Sequence, residues 1–172
     1  MVADRGEQAA TAREWLLLSA NNPDAAATGW QELGVALLEC GRKFSVVRMK
    51  PEVVWAAAGA HSMAQVDACL REILVGPVFM SMYPHRYYAF VPPAAAGRYE
   101  WTDQPRNDAR FLGEGTVVAV PLPGRTEPDG ARPYWSVPVT EPGRLCSPDA
   151  VSRFLAHGRL MLAQKGAARA DG

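Results

Sequence analysis

Acidic side chains within four strand-like segments, FSVVRM, VFMSM, YYAFV and TVVAV, a phosphate loop, paired cysteines and a long apolar run are all missing from this chain, and each absence removes a chemistry. Cys40, Cys69 and Cys146 are odd in number and far apart, and none belongs to a Cys-x-x-Cys pair. Neither a disulfide framework nor a zinc site follows, and buried free thiols are expected. Cys146 precedes an expected helix start, where a thiol would be acidified toward nucleophilic use, but a small packing residue is equally at home there. Lys and Arg number 18, as do Asp and Glu, so the formal net charge is zero. A chain without net charge lacks the broad field of a nucleic-acid coat protein or a polybasic membrane binder, although a local basic patch stays compatible with it. The longest apolar stretch, around residues 73–82, is broken by Gly76, Pro77 and Ser81 and falls short of the roughly 20 residues that span a bilayer. The charged start, MVADRGEQAATAREW, is unlike a signal peptide. A cytoplasmic protein with no membrane partner is expected. Gly113-Glu114-Gly115-Thr116 has an acidic residue between its glycines and no lysine after them, which suits a tight turn or bulge and not a phosphate cradle.

What is present is a globular composition of 48% hydrophobic and 21% charged residues over 172 positions, enough for one domain with a full core. The ends, residues 1–6 and 165–172, are expected to fray. The chain is organised around PVFMSMYPHRYYAFVPP, residues 77–93. Two apolar runs, residues 78–82 and 87–91, flank a polar turn of Tyr83, Pro84, His85 and Arg86, and the spacing predicts a central antiparallel hairpin. In the first run Val78, Met80 and Met82 alternate with Phe79 and Ser81; in the second Tyr88 and Phe90 alternate with Tyr87, Ala89 and Val91. A sheet apolar on both faces needs cover on both, which calls for helices on either side.

The remaining elements follow from caps and periodicity. A first helix over residues 7–20 stops at Asn21-Asn22-Pro23, and Asn22 caps a second that ends at Gly34. Residues 35–39 and 44–49 read as extended segments around a basic turn. Pro51 opens a helix to about residue 60, and the Ser62-x-x-Gln65 spacing of a capping box opens another to Leu74. Strand, helices, strand is the order of a βαβ-like crossover into the hairpin. Residues 94–110 read as a partly ordered excursion. Residues 109–112, 116–122 and 134–139 follow as short strands, the last at a sheet edge because Pro138 cannot donate to a ladder. Ser147 and Pro148 then start a C-terminal helix to about residue 162. The fold class expected is α/β in the α+β sense, a single domain with a mixed, mostly antiparallel sheet, a central hairpin and helices packed on it.

Three stretches, GPVFMSMYPHRYYAFVPPAAAGRYEW, GEGTVVAVPLPGRTEPDGARPYWSVPV and GRLCSPDAV, together resemble small actinobacterial proteins related to the N-terminal domain of bifunctional DNA primase/polymerases. The resemblance covers roughly residues 30–160. It implies a core built on an RNA-recognition-like sheet, two metal ions and nucleotidyl transfer. The family's metal site uses two carboxylates one residue apart on a strand, so that both project from one face. FSVVRM, VFMSM, YYAFV and TVVAV contain no acidic residue, and the family's Ser-x-His element is absent around His61, His85 and His157. A shared fold without polymerase chemistry is expected, with no catalytic residue, metal or cofactor.

Two readings from different classes result. One is a catalytically silent, prim-pol-like module that binds a protein or a nucleic acid in a regulatory or accessory role, with homo-oligomerisation allowed. The other is a small cytosolic enzyme acting on nucleotides or a small metabolite. For the first, Tyr83, His85 and Arg86 at the hairpin turn and Tyr99, Trp101 and Arg106 in the excursion form the expected recognition surface, with Tyr99 and Trp101 as aromatic anchors and the cations as polar contacts. Tyr87 and Tyr88 are further stacking platforms. Arg42, Lys43 and Arg48 form a second small basic cluster that can meet the first across the sheet. The plainer reading of both clusters is charged turns beside core aromatics.

Overall fold

The structure, a computed structural model, describes residues 4–96, 98, 101 and 107–172. Among these, five α-helices and seven strands follow in the order α1 (Arg5–Leu17), α2 (Pro23–Leu33), β1 (Val35–Glu39), β2 (Ser45–Met49), α3 (Pro51–Ala58), α4 (Met63–Leu74), β3 (Val78–Met82), β4 (His85–Val91), a 3₁₀ turn (Pro93–Ala95), β5 (Ala109–Leu112), β6 (Val117–Pro121), β7 (Tyr134–Val137) and α5 (Pro148–Ala170). None of the helices is long and apolar enough to cross a membrane.

Local chemistry starts the helices where it was expected to. The Asn22 side chain accepts from the Ala25 N–H at 3.1 Å, and Pro23 occupies the first position of α2. The Ser62 hydroxyl accepts from the Gln65 N–H at 3.2 Å, while the Gln65 side chain reaches one residue further back than in a capping box and accepts from the His61 N–H at 2.7 Å. Ser147 caps α5, which runs past its expected end to Ala170 with every residue after Met161 exposed.

Five strands form one sheet in the order β5-β2-β4-β3-β7, and β1 and β6 form a separate two-stranded sheet. Every ladder in both is antiparallel, so the expected mixture of orientations is not seen. The reason lies in the crossover. Helices α3 and α4 return the chain so that β3 runs parallel to β2, but β4 folds back between them and pairs with both. The hairpin therefore sits in the interior of the large sheet, as its two-sided apolar runs demand. The expected four-residue turn shrinks to Tyr83-Pro84, joined by a cis peptide, because Met82 pairs directly with His85. His85 and Arg86 are strand residues. β7 is an edge strand and ends before Pro138.

The two faces are covered differently. Val47, Met49, Val78, Met80, Tyr87, Ala89 and Val91 pack under α3, α4 and α5. There α5 crosses α3 so closely that a Cβ on Gly158 would run into the Val53 carbonyl. The opposite face carries Val46, Phe79, Phe90 and Trp135, and its cover is not helices alone but the β1–β6 sheet together with α1 and α2. Trp30 locks this layer by donating its indole N–H to the Val120 carbonyl at 3.0 Å.

Candidate functional site

The small sheet covers only part of that second face. Over Val46 and Phe90 the cover is complete, and both residues are fully buried. Toward the hairpin turn it ends, and the alternation of β2, β4 and β5 then brings long polar side chains to the open surface. Cross-strand register sets Arg110 beside Arg48, Arg48 beside Tyr88 and Tyr88 beside Phe79. Tyr88 stacks on Phe79 with ring centroids 4.5 Å apart and an interplanar angle of 11°. One row further toward the turn, Arg86 faces Ser81.

Arg110, Arg48, Tyr88, Phe79 and Ser81 line one wall of a groove of about 490 Å³ whose other wall is β6, with Val117 and Ala119 exposed on it. Tyr83, 80% exposed, stands on the rim with Pro84. Beside the groove a pit of about 80 Å³ is lined by Arg48, Lys50, Arg86 and Arg110 together with Asp108. Asp108 does little to neutralise it, since both carboxylate oxygens are held by Arg159 of α5 at 2.6 and 2.9 Å. Arg86 donates to the neighbouring His85 carbonyl at 2.7 Å, which fixes its stem and leaves further N–H groups for a ligand. Burial raises the Tyr88 phenol pKa, while Arg48 and Arg86 both act to lower it, so the two guanidiniums converge on the stacked ring. Chemically, the groove offers positive charge next to an aromatic platform, the pairing that takes up phosphate and base together.

The expected site residues are divided by this geometry. Tyr83 borders the groove, and Arg86 lines the pit beside it. His85, one residue from Arg86, points to the opposite face, where its ring lies 5.6 Å from Tyr87 and burial lowers its pKa. Trp101 is no surface anchor. It is fully buried in the helix-covered core, stacked on Phe111 at 5.9 Å. Tyr99 and Arg106 lie outside the described residues. Tyr87 is buried and accepts from the Trp55 indole at 3.2 Å, which removes it as a platform. Arg42 pairs with Glu39 at 2.7 Å, away from the groove, while Arg48 does meet Arg86 across the sheet. Lys50 and Arg110 escaped the sequence reading. The alternation of Arg110 with Ala109 and Phe111 was their available signal, but only the β2–β5 register shows which arginines become neighbours.

A second polar cluster sits under α4. Tyr134 donates to the Asp67 carboxylate at 2.9 Å, and burial raises the Asp67 pKa against the opposing pull of the Ser136 and Tyr134 hydroxyls and Arg71. A carboxyl whose folded pKa is raised favours folding most when protonated, so its contribution is complete below its ordinary value of 3.8 and is lost as pH rises through the folded value. Asp67→Asn is therefore expected to match the parent in urea midpoint below about pH 4 and to exceed it increasingly toward neutral pH. A variant that loses midpoint as pH rises would show that the ionised carboxylate is the stabilising form. Among the described residues no group of His, Cys, Asp or Glu is placed to hold a metal ion. Burial pushes the Cys40 and Cys146 thiols up to about 12, the reverse of what a nucleophile needs. Compared with protein-family models, curated proteins and solved structures, the chain matches none.

Proposed function

We propose that this chain is a binding module for single-stranded nucleic acid, a catalytically silent relative of the prim-pol domains that acts in the cytoplasm in an accessory or regulatory role. The observation that carries the reading is the row Arg110, Arg48 and Tyr88 on the uncovered end of one sheet face, with the buried Phe79 ring behind Tyr88 and Arg86 and Lys50 beside it. Stacking on Tyr88 would be tolerant of base identity, and the guanidiniums would follow the phosphates. Zero net charge over the whole chain makes this local concentration of cations stand out from its surroundings. The strands that build the groove, β2, β3, β4, β5 and β6, carry no carboxylate toward it, which favours binding over metal-assisted transfer.

The test is fluorescence anisotropy with a labelled oligothymidylate of about 12 nucleotides, inside the range of site sizes seen for single-strand binders. Binding is expected to weaken steeply with added salt, and Arg48→Glu with Arg86→Glu is expected to weaken it at least about ten-fold and to flatten the salt dependence. A salt-independent or absent signal, or one untouched by the double variant, overturns the reading. Thermal-shift screens with Mg²⁺ and nucleoside triphosphates are expected to be blank, and a clear positive would favour the nucleotide enzyme instead.

A further inference from the structure

We propose that the chain also carries a separate site for a small organic anion with an apolar body, between α1 and the β7 edge of the large sheet. A cavity of about 410 Å³ opens there, within the roughly 300–1,000 Å³ typical of small-molecule sites. Its floor is the buried Trp135 with Pro123 and Pro138 beside it, and Ala9 of α1 adjoins the loop that carries Gly124 and Glu127 to complete the lining. The floor is rigid. The Trp135 indole donates to the Pro121 carbonyl at 3.2 Å and meets Phe79 and Phe90 edge-on at 5.7 and 5.5 Å. The loop is tied down as well, since the Trp135 N–H donates to the Arg125 carbonyl at 2.8 Å. A preformed cavity costs a ligand little ordering.

The charge around the cavity selects the ligand's head. Arg5 and Arg71 face it from two different helices, against the single carboxylate of Glu127. Neither arginine forms an ion pair among the described residues. Arg71 does feel Asp67, but that carboxylate is already taken up by the Tyr134 hydroxyl. A carboxylate or sulfonate would pair with the guanidiniums, and a ring or short chain would cover Pro123 and Pro138 beside the buried Trp135. A polymer of phosphates suits the place poorly, because Pro123 and Pro138 give it an apolar side that phosphates cannot use.

The probe is 8-anilinonaphthalene-1-sulfonate, titrated into the intact chain and followed by fluorescence, with the thermal midpoint recorded in parallel. Saturable one-site binding that raises the midpoint is expected, which sets it apart from dye uptake by unfolded protein. N-phenyl-1-naphthylamine, the same body without the sulfonate, is expected to bind at least about five-fold more weakly, and Arg71→Ala is expected to erase most of that difference. Ala9→Trp, at a half-exposed helix position, should fill the cavity and abolish binding, while Arg48→Glu in the groove should leave it unchanged. The proposal is overturned by the absence of saturable binding, by equal affinity for the two dyes, or by binding that survives Arg71→Ala unchanged. Should Ala9→Trp fail to fold by circular dichroism, the Arg71→Ala comparison decides alone.

Discussion

Phe90→Ala is expected to lower the stability of the protein by about 3–5 kcal/mol, as truncation of a fully packed core aromatic does. Phe90 lies on β4, the central strand, with no exposed surface. It stacks on Phe44 at 4.1 Å and 15°, and it meets Phe79 and Trp135 edge-on at 6.0 and 5.5 Å. Phe44 belongs to the segment entering β2 and Trp135 to the edge strand β7, so one ring joins the large sheet across its width to the layer above it. The void left by alanine is bordered by strands on one side and by the small sheet on the other, and neither can collapse far into it. Urea denaturation of both proteins gives the number, and a loss under about 1 kcal/mol would mean that the site relaxes around the missing ring.

Trp101→Ala is expected to cost a similar amount, about 3–5 kcal/mol, and to show the loss as unfolding rather than as weakened binding. An exposed anchor would behave the other way. Its removal would leave the thermal midpoint alone and reduce affinity. Trp101 has no exposed surface, stacks on Phe111 of β5, and carries the Arg98 guanidinium over its ring at 5.5 Å. Arg98 in turn pairs with Asp149 in the first turn of α5 at 2.7 Å. Trp101 and Arg98 thereby pack against the helix layer. Its N–H has no hydrogen-bond partner among the described residues, so Trp101→Phe, which keeps the ring and drops that unmatched donor, is expected to be far milder. A normal midpoint for Trp101→Ala in thermal denaturation would contradict the burial.

The hairpin and the helix starts were legible because their causes are local. A two-residue period that is apolar in both phases means a strand with both faces covered, and β3 and β4 occupy that place. Asn22, Ser62 and Ser147 cap helices through hydrogen bonds that span three residues. The candidate surface was legible only in part, for the same reason. Tyr83 is exposed and Arg86 half-buried, but a single turn from Tyr83 to Arg86 would put His85 beside Arg86. Starting β4 at His85 sends the two to opposite faces.

What the sequence by itself determined are the quantities that a short window or a simple count contains: one domain of α+β class, the strand runs, the helix caps, and the lack of paired carboxylates along the strands. Only the tertiary structure decided which elements cover which face. β1 leaves its neighbour β2 to pair with the distant β6, and that separate ribbon stops short of the hairpin turn. The groove exists because of that shortfall, and its cations meet because register aligns β5 with β2 and β2 with β4. Pairings of this kind depend on the summed packing of a whole face, a long-range term that no local pattern in the chain encodes. Trp101 is the same case in a loop. An aromatic among polar residues is ambiguous until the core beside it is known to have room, and here α5 and β5 leave a space that the indole fills.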